Sequence, residues 1–257
     1  MPVKFICFKK DQESKVQYGI LEDTKINIIK NSPWLEKPEI IKTVDLDEDC
    51  QLLAPVEPSK IICIGLNYHA HVKASYSADE APENPLIFMK PPSSIIGPED
   101  LIVLPAVSER VDYEAELGVV IGKTARDVIR EKADEYILGL TCVNDVTARD
   151  LQKKDGQWTR AKGFDTFCPV GPWIITDVDY TDLQVEGILN DKVMQSGTTA
   201  QMIFDIPFLI SYVSSIMTLN PGDLISTGTP SGISPMNTGD KIEVKVANVG
   251  TLTNFVA

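Results

Sequence analysis

The stretch Val111-Asp112-Tyr113-Glu114-Ala115-Glu116-Leu117-Gly118-Val119-Val120-Ile121 decides how this chain is read. It alternates with the two-residue period of a β-strand, so Tyr113, Ala115, Leu117, Val119 and Ile121 share one face. Asp112, Glu114, Glu116, Gly118 and Val120 share the other. Acids on one face of a strand repel one another unless something cationic sits between them. Taken alone, the segment reads first as a half-solvated strand with an acidic wet face, since antiparallel sheets often leave one face in water. The competing reading is an ion site, and a set of oxygen ligands alone selects a hard cation, Mg²⁺ or Mn²⁺.

A second segment bears on that choice. Ile137-Leu138-Gly139-Leu140-Thr141-Cys142-Val143-Asn144-Asp145 is an apolar run ending in an acid. Burying the run carries Asp145 to the rim of a pocket, where an ionised carboxylate needs a partner. Asp145 could equally cap a short helix over 147–152. Upstream, Gly65-Leu66-Asn67-Tyr68-His69-Ala70-His71 holds the chain's only two histidines where an apolar strand turns polar. One could act as a base near neutral pH, or both could be solvated. Lys162, in Arg160-Ala161-Lys162-Gly163-Phe164-Asp165, offers a cation for an anionic substrate or a surface salt bridge. Thr227-Gly228-Thr229-Pro230-Ser231-Gly232 resembles an anion-cradling turn, without the lysine and spacing of a P-loop.

Composition narrows the function class. The 257 residues carry 37 acidic and 24 basic side chains, a net charge of −13. No basic run offers the footprint of a nucleic-acid binder, and the charge disfavours anionic membranes. No apolar stretch approaches the ~20 residues of a membrane span, and the N-terminus lacks a signal-peptide pattern. Five scattered cysteines without a CxxC pair read as reduced thiols of a cytoplasmic protein. Short apolar runs bounded by Gly, Pro, Asn or Asp predict a mainly β, α+β protein. Residues 1–55 are expected to form a small β-rich N-terminal region, and residues 60–257 the main α+β body. Helices are expected over 125–136, 147–152 and 202–216.

Taken in order, these segments resemble the fumarylacetoacetate hydrolase family, in its branch of acylpyruvases and 2-hydroxyhepta-2,4-diene-1,7-dioate isomerases. The resemblance runs from about residue 60 to the C-terminus and includes Phe88-Met89-Lys90-Pro91, Asn144-Asp145-Val146-Thr147-Ala148-Arg149-Asp150-Leu151-Gln152 and Met202-Ile203-Phe204-Asp205-Ile206-Pro207. It implies a mixed β-roll, a homodimer and a Mg²⁺ or Mn²⁺ cofactor held by Glu114, Glu116 and Asp145. It further implies catalytic roles for His71 and Lys162, and substrate contacts from Tyr68, Lys90, Arg149, Gln152 and Thr229. In hydrolytic members the position of His71 activates water with help from a Glu three residues later. This chain has Ala74 there, with Glu80 and Glu83 as candidate replacements.

The expected activity is hydrolysis of a C–C bond in an acylpyruvate-type 2,4-dioxo acid, a small anionic substrate. The alternative keeps the same metal site and makes the enzyme an isomerase, tautomerase or decarboxylase of 2-oxo or 2-hydroxymuconate-like dicarboxylic acids.

Overall fold

The structure is a computed structural model that describes residues 1–10, 15–74 and 80–257. Its central ladder is laid down by the strand Ala115–Ile121, which pairs antiparallel with Ile137–Asn144 on one side and with Leu224–Ser226 on the other. Leu224–Ser226 runs parallel to Ile61–Gly65, which pairs antiparallel with Leu86–Lys90. In the other direction Ile137–Asn144 pairs with Cys168–Ile175, and that strand with Lys4–Lys9. The N-terminal strands Gln17–Glu22, Lys25–Ile29 and Ile40–Asp45 then continue the same 12-stranded mixed sheet to its edge. A second sheet of five strands runs in the order Lys192–Thr198, Gln184–Leu189, Lys241–Val246, Gly250–Val256 and Leu101–Ile102. The chain is mainly β, with the mixed pairing expected of a β-roll.

The strand Ala115–Ile121 is buried along its whole length, so the wet acidic face expected of an isolated strand does not exist. On one face Leu117 and Val119 join Leu140, Cys142, Val185, Val244 and Leu252, beneath the helix Ile206–Ile216. On the other, Val120 packs with Val143, Leu224, Cys63, Cys168 and Val170. Layers on both sides make this a core strand. Glu116 is therefore held in the interior, and the energetic question becomes what neutralises it.

Helix content is smaller than the sequence pattern suggests. In place of a helix over 125–136 there is only a 3₁₀ segment, Arg130–Tyr136. Ala125 forms a bridge to Leu219, and Asp127 has a φ of 50°, so the preceding backbone is committed to extended and turn geometry. The helix expected over 202–216 begins at Ile206, where the Asp205 side chain accepts from the Phe208 N–H at 2.9 Å. The helix expected over 147–152 is displaced to Arg149–Asp155. Thr147 and Ala148 pair with Asp112 and Val111, and Asp145 caps nothing.

Candidate metal centre

Antiparallel pairing explains how three acids distant in sequence meet. Ala115 lies opposite Asn144 and Glu116 opposite Val143, so the start of one strand abuts the end of the next. Glu114 and Asp145 flank that closed end, and the Asp145 N–H donates to the Glu114 carbonyl at 2.9 Å. Glu114, Glu116 and Asp145 each place a carboxylate oxygen within 4.8 Å of the others, all buried. The same ladder sets Ser226 opposite Gly118, which brings residues 226–228 beside Glu116.

The three carboxylates differ in their partners. Glu114 pairs with Arg149 through one oxygen and with the Lys162 ammonium at 2.8 Å through the other. Burial pushes its carboxyl up, but Arg149 and Lys162 outweigh burial and hold it well below the usual range. Asp145 accepts from Lys162 through Oδ2 at 2.5 Å and from Lys90 through Oδ1. Glu116 accepts only neutral donors among the described residues, the Ser226 hydroxyl at 2.5 Å and the Gly228 N–H at 2.9 Å. Burial, then the charges of Asp145 and Glu114, push its carboxyl up to about 8.

The turn at 227–232 thus supplies one donor, the Gly228 N–H, and its acceptor is the protein's own Glu116 carboxyl. Gly228 is required there. Its φ is 100°, and a Cβ would stand 2.7 Å from the Asn67 Cβ.

Lys162 sits between Glu114 and Asp145, with its ammonium 4.7 Å from the centre of the Phe88 ring. Burial would neutralise it, yet Asp145 and Glu114 more than compensate and hold its pKa above the ordinary lysine value. Arg149 spends its guanidinium within the protein: Nε donates to Asp112 at 3.0 Å, Nη1 to Gln152 Oε1 at 2.8 Å and Nη2 to Glu114. Gln152 is thereby joined to the site through Arg149. The Thr229 hydroxyl donates to the Ala115 carbonyl and accepts from Gln195 Nε2, both at 2.8 Å. Lys90 is fully buried and donates to Asp145 and to the Val146 carbonyl.

Tyr68 and His71 are buried near the same acids, Tyr68 feeling the charge of Glu116 and His71 that of Glu114. Asn67 anchors them, donating to the Thr227 carbonyl at 2.8 Å and accepting from the Phe204 N–H at 2.8 Å. Among the described residues, three buried polar atoms of this region have no hydrogen-bond partner: the Tyr68 hydroxyl, His71 Nδ1 and Asn144 Nδ2. Burial, then the charge of Glu116, raises the Tyr68 pKa, so the phenol keeps its proton. Burial lowers the pKa of His71, against the pull of Glu114 and with the help of Arg149 and Lys162. Glu80 and Glu83 are exposed, and neither bonds His71. His69 is exposed as well.

This donor set fits a divalent ion. Two of the acids are matched by lysines or arginine, while the third is left to neutral donors and driven toward its protonated form. A doubly charged cation among the three oxygens would supply the missing charge, and hard oxygen ligands suit Mg²⁺ or Mn²⁺. Sequence patterning missed Asn144, Gln195 and Ser226. Gln195 stands in a polar strand and gives no signal, yet its buried amide ties the Ala115 N–H to Thr229.

The chain is similar to known proteins along most of its length. The mitochondrial oxaloacetate tautomerase Fahd2a of Rattus norvegicus is 41% identical over 256 residues, covering 95% of this chain and 80% of that protein. The crystal structure of 5-carboxymethyl-2-hydroxymuconate delta-isomerase from Mycobacterium smegmatis superposes with a TM-score of 0.91 at 43% identity, covering 99% of both chains. Maleylpyruvate hydrolase from Sphingobium sp. SYK-6, solved with manganese(II) and pyruvate, matches with a TM-score of 0.80 at 31% identity, over 99% of this chain and 98% of that one. The family model described as fumarylacetoacetate (FAA) hydrolase C-terminal matches residues 60–257, and the chain belongs to that family.

Proposed function

We propose that this protein is a Mg²⁺- or Mn²⁺-dependent enzyme that interconverts keto and enol, or double-bond, isomers of a small 2-oxo dicarboxylic acid. The observation that carries this reading is His71 Nδ1, buried and unbonded among the described residues beside a complete set of cations. A hydrolase needs a base held in orientation to activate water, and losing an orienting carboxylate costs orders of magnitude in rate. Moving a proton on an enolate needs no such water.

A divalent ion held by Glu114, Glu116 and Asp145 would polarise the 2-oxo group and favour its enolate. Lys162 stays charged and stabilises negative charge as it develops on the substrate oxygen. His71, kept neutral near pH 7 by burial, takes or returns the carbon-bound proton. The Tyr68 phenol remains a donor for the same oxyanion.

The likeness to an oxaloacetate tautomerase and to a hydroxymuconate isomerase at over 40% identity supports this choice of chemistry. Hydrolysis of an acylpyruvate, the activity expected from the sequence, is the second reading. The likeness to a maleylpyruvate hydrolase favours it.

One assay separates the two. Purified protein with Mg²⁺ or Mn²⁺ is given the enol form of oxaloacetate, followed by its ultraviolet absorbance, and an acylpyruvate, followed by pyruvate release. Accelerated loss of enol with little pyruvate is expected. Rapid pyruvate release with unaltered enol decay would overturn the proposal in favour of the hydrolase.

A further inference from the structure

Lys90 ends the strand Leu86–Lys90 and is turned entirely inward, with its side chain fully buried. Its ammonium makes two bonds, one to Asp145 Oδ1 and one to the Val146 carbonyl at 3.0 Å. Both partners belong to the turn that carries the third acid of the triad. Lys162 takes the other oxygen of Asp145 and bridges it to Glu114. The two lysines therefore divide one carboxylate between them. Lys162 lies among the acids, whereas Lys90 bonds none but Asp145.

Every polar atom of Asp145 is fixed in this way. Its N–H donates to Glu114, its carbonyl accepts from Thr147 Oγ1 at 2.9 Å, and its two carboxylate oxygens are held by the two lysines.

We propose that Lys90 is a positioning residue for metal binding, holding Asp145 Oδ1 so that Oδ2 faces Glu114 and Glu116, and that it does not contact substrate. This rests on the reading of Glu114, Glu116 and Asp145 as a divalent-cation site. Without Lys90, Asp145 loses the partner of one oxygen in surroundings that include the buried thiols of Cys63 and Cys168. The carboxylate then turns both oxygens to Lys162, and an incoming ion must displace a tighter clamp. Groups that orient a metal ligand in this fashion typically contribute 10–100-fold to metal affinity.

The test measures Mn²⁺ binding directly, by calorimetry or by the electron paramagnetic resonance signal of free Mn²⁺, in the full chain and in Lys90→Met. The expected result is a Kd for Mn²⁺ raised about 10–100-fold in the variant, with the KM for the 2-oxo acid unchanged once Mn²⁺ is saturating. Lys90→Gln keeps a donor without the charge and is expected to fall between the two; it carries the test should Lys90→Met not fold. Wild-type Mn²⁺ affinity in a folded variant overturns the assignment. A raised KM at saturating Mn²⁺ with unchanged metal affinity would instead make Lys90 a substrate contact. Failure of the wild-type protein to bind Mn²⁺ at all would sink the underlying metal reading, an outcome distinct from the other two.

Discussion

Glu114 and Glu116 stand two residues apart, yet they belong to two differently built sides of one site. On the Glu114 side the supports are cations: Arg149, itself braced by Asp112, and Lys162, which continues to Asp145. On the Glu116 side the supports are a serine hydroxyl and a glycine N–H. The first side holds a carboxylate ionised with no help from a metal. The second side leaves a carboxylate that favours its proton until positive charge arrives. A site wholly built like the first would already be neutralised and would bind an ion weakly. A site wholly built like the second would carry a heavy burial penalty in the metal-free protein. The mixture keeps the fold intact while reserving one ligand for the ion.

The largest expected effect comes from breaking the cationic side. Lys162→Met strips Glu114 and Asp145 of a shared partner, and removing one member of a buried charge network costs about 3–5 kcal/mol. The metal-free Tm should fall by about 10 °C, and Mn²⁺ should raise the Tm more in the variant than in the parent. Turnover at saturating metal should drop about 10²–10³-fold, as for loss of an oxyanion donor. An unchanged metal-free Tm would show that Lys162 does not neutralise the acids.

The contrast between the two sides also fixes a pH dependence. The carboxyl of Glu116 is raised from 4.5 to about 8 in the folded protein. Its contribution to stability is thus fully present below pH 4.5 and is lost as pH rises through about 8. Glu114, lowered, contributes in the opposite sense: its stabilisation is fully present above pH 4.5 and is lost only as pH falls below it. Between pH 5 and 8 the metal-free protein should therefore lose stability in urea unfolding relative to Glu116→Gln, in which this slope is absent. Mn²⁺ affinity should rise over the same range with release of a proton, read by calorimetry in buffers of different ionisation enthalpy. Equal slopes in parent and variant would contradict the assignment.

Much of this was legible in the sequence, for identifiable reasons. The strands Lys25–Ile29 and Lys241–Val246 could be bounded because turn residues flank them on both sides. The triad could be named only through the family resemblance, since the acidic strand taken alone read first as a wet face, and the structure brings the three acids together. The strand Cys168–Ile175 was recognisable only in its second half, since Pro169, Gly171 and Pro172 read as a turn. Lys192–Thr198 was hidden by its polar composition, although Gln195 is buried within it. Nor could patterning show that Arg149 is consumed by Asp112, Glu114 and Gln152, because that depends on the Val111–Ala148 bridge closing the turn. The side-chain partners of Glu116 were equally invisible, lying more than a hundred residues downstream.

Those partners provide the finest test of the contrast. Ser226 is fully buried, and its hydroxyl donates to Glu116 Oε2 at 2.5 Å. A hydrogen bond to a charged group contributes about 1.5–3 kcal/mol, and one unit of pKa corresponds to about 1.4 kcal/mol. Ser226→Ala keeps the strand and the Gly228 donor, and removes one of the two hydrogen bonds that Glu116 accepts, a bond that favours the ionised form. The midpoint of proton release on Mn²⁺ binding should accordingly move up by about one unit. Near pH 7, Mn²⁺ affinity should weaken about tenfold, while at pH 9 the gap should shrink to about twofold, because the carboxylate is by then largely ionised in the parent and about half ionised in the variant. A loss of affinity that is the same at pH 7 and pH 9 would mean that Ser226 acts on the shape of the site. The neutral side would then owe its character to geometry and not to proton competition.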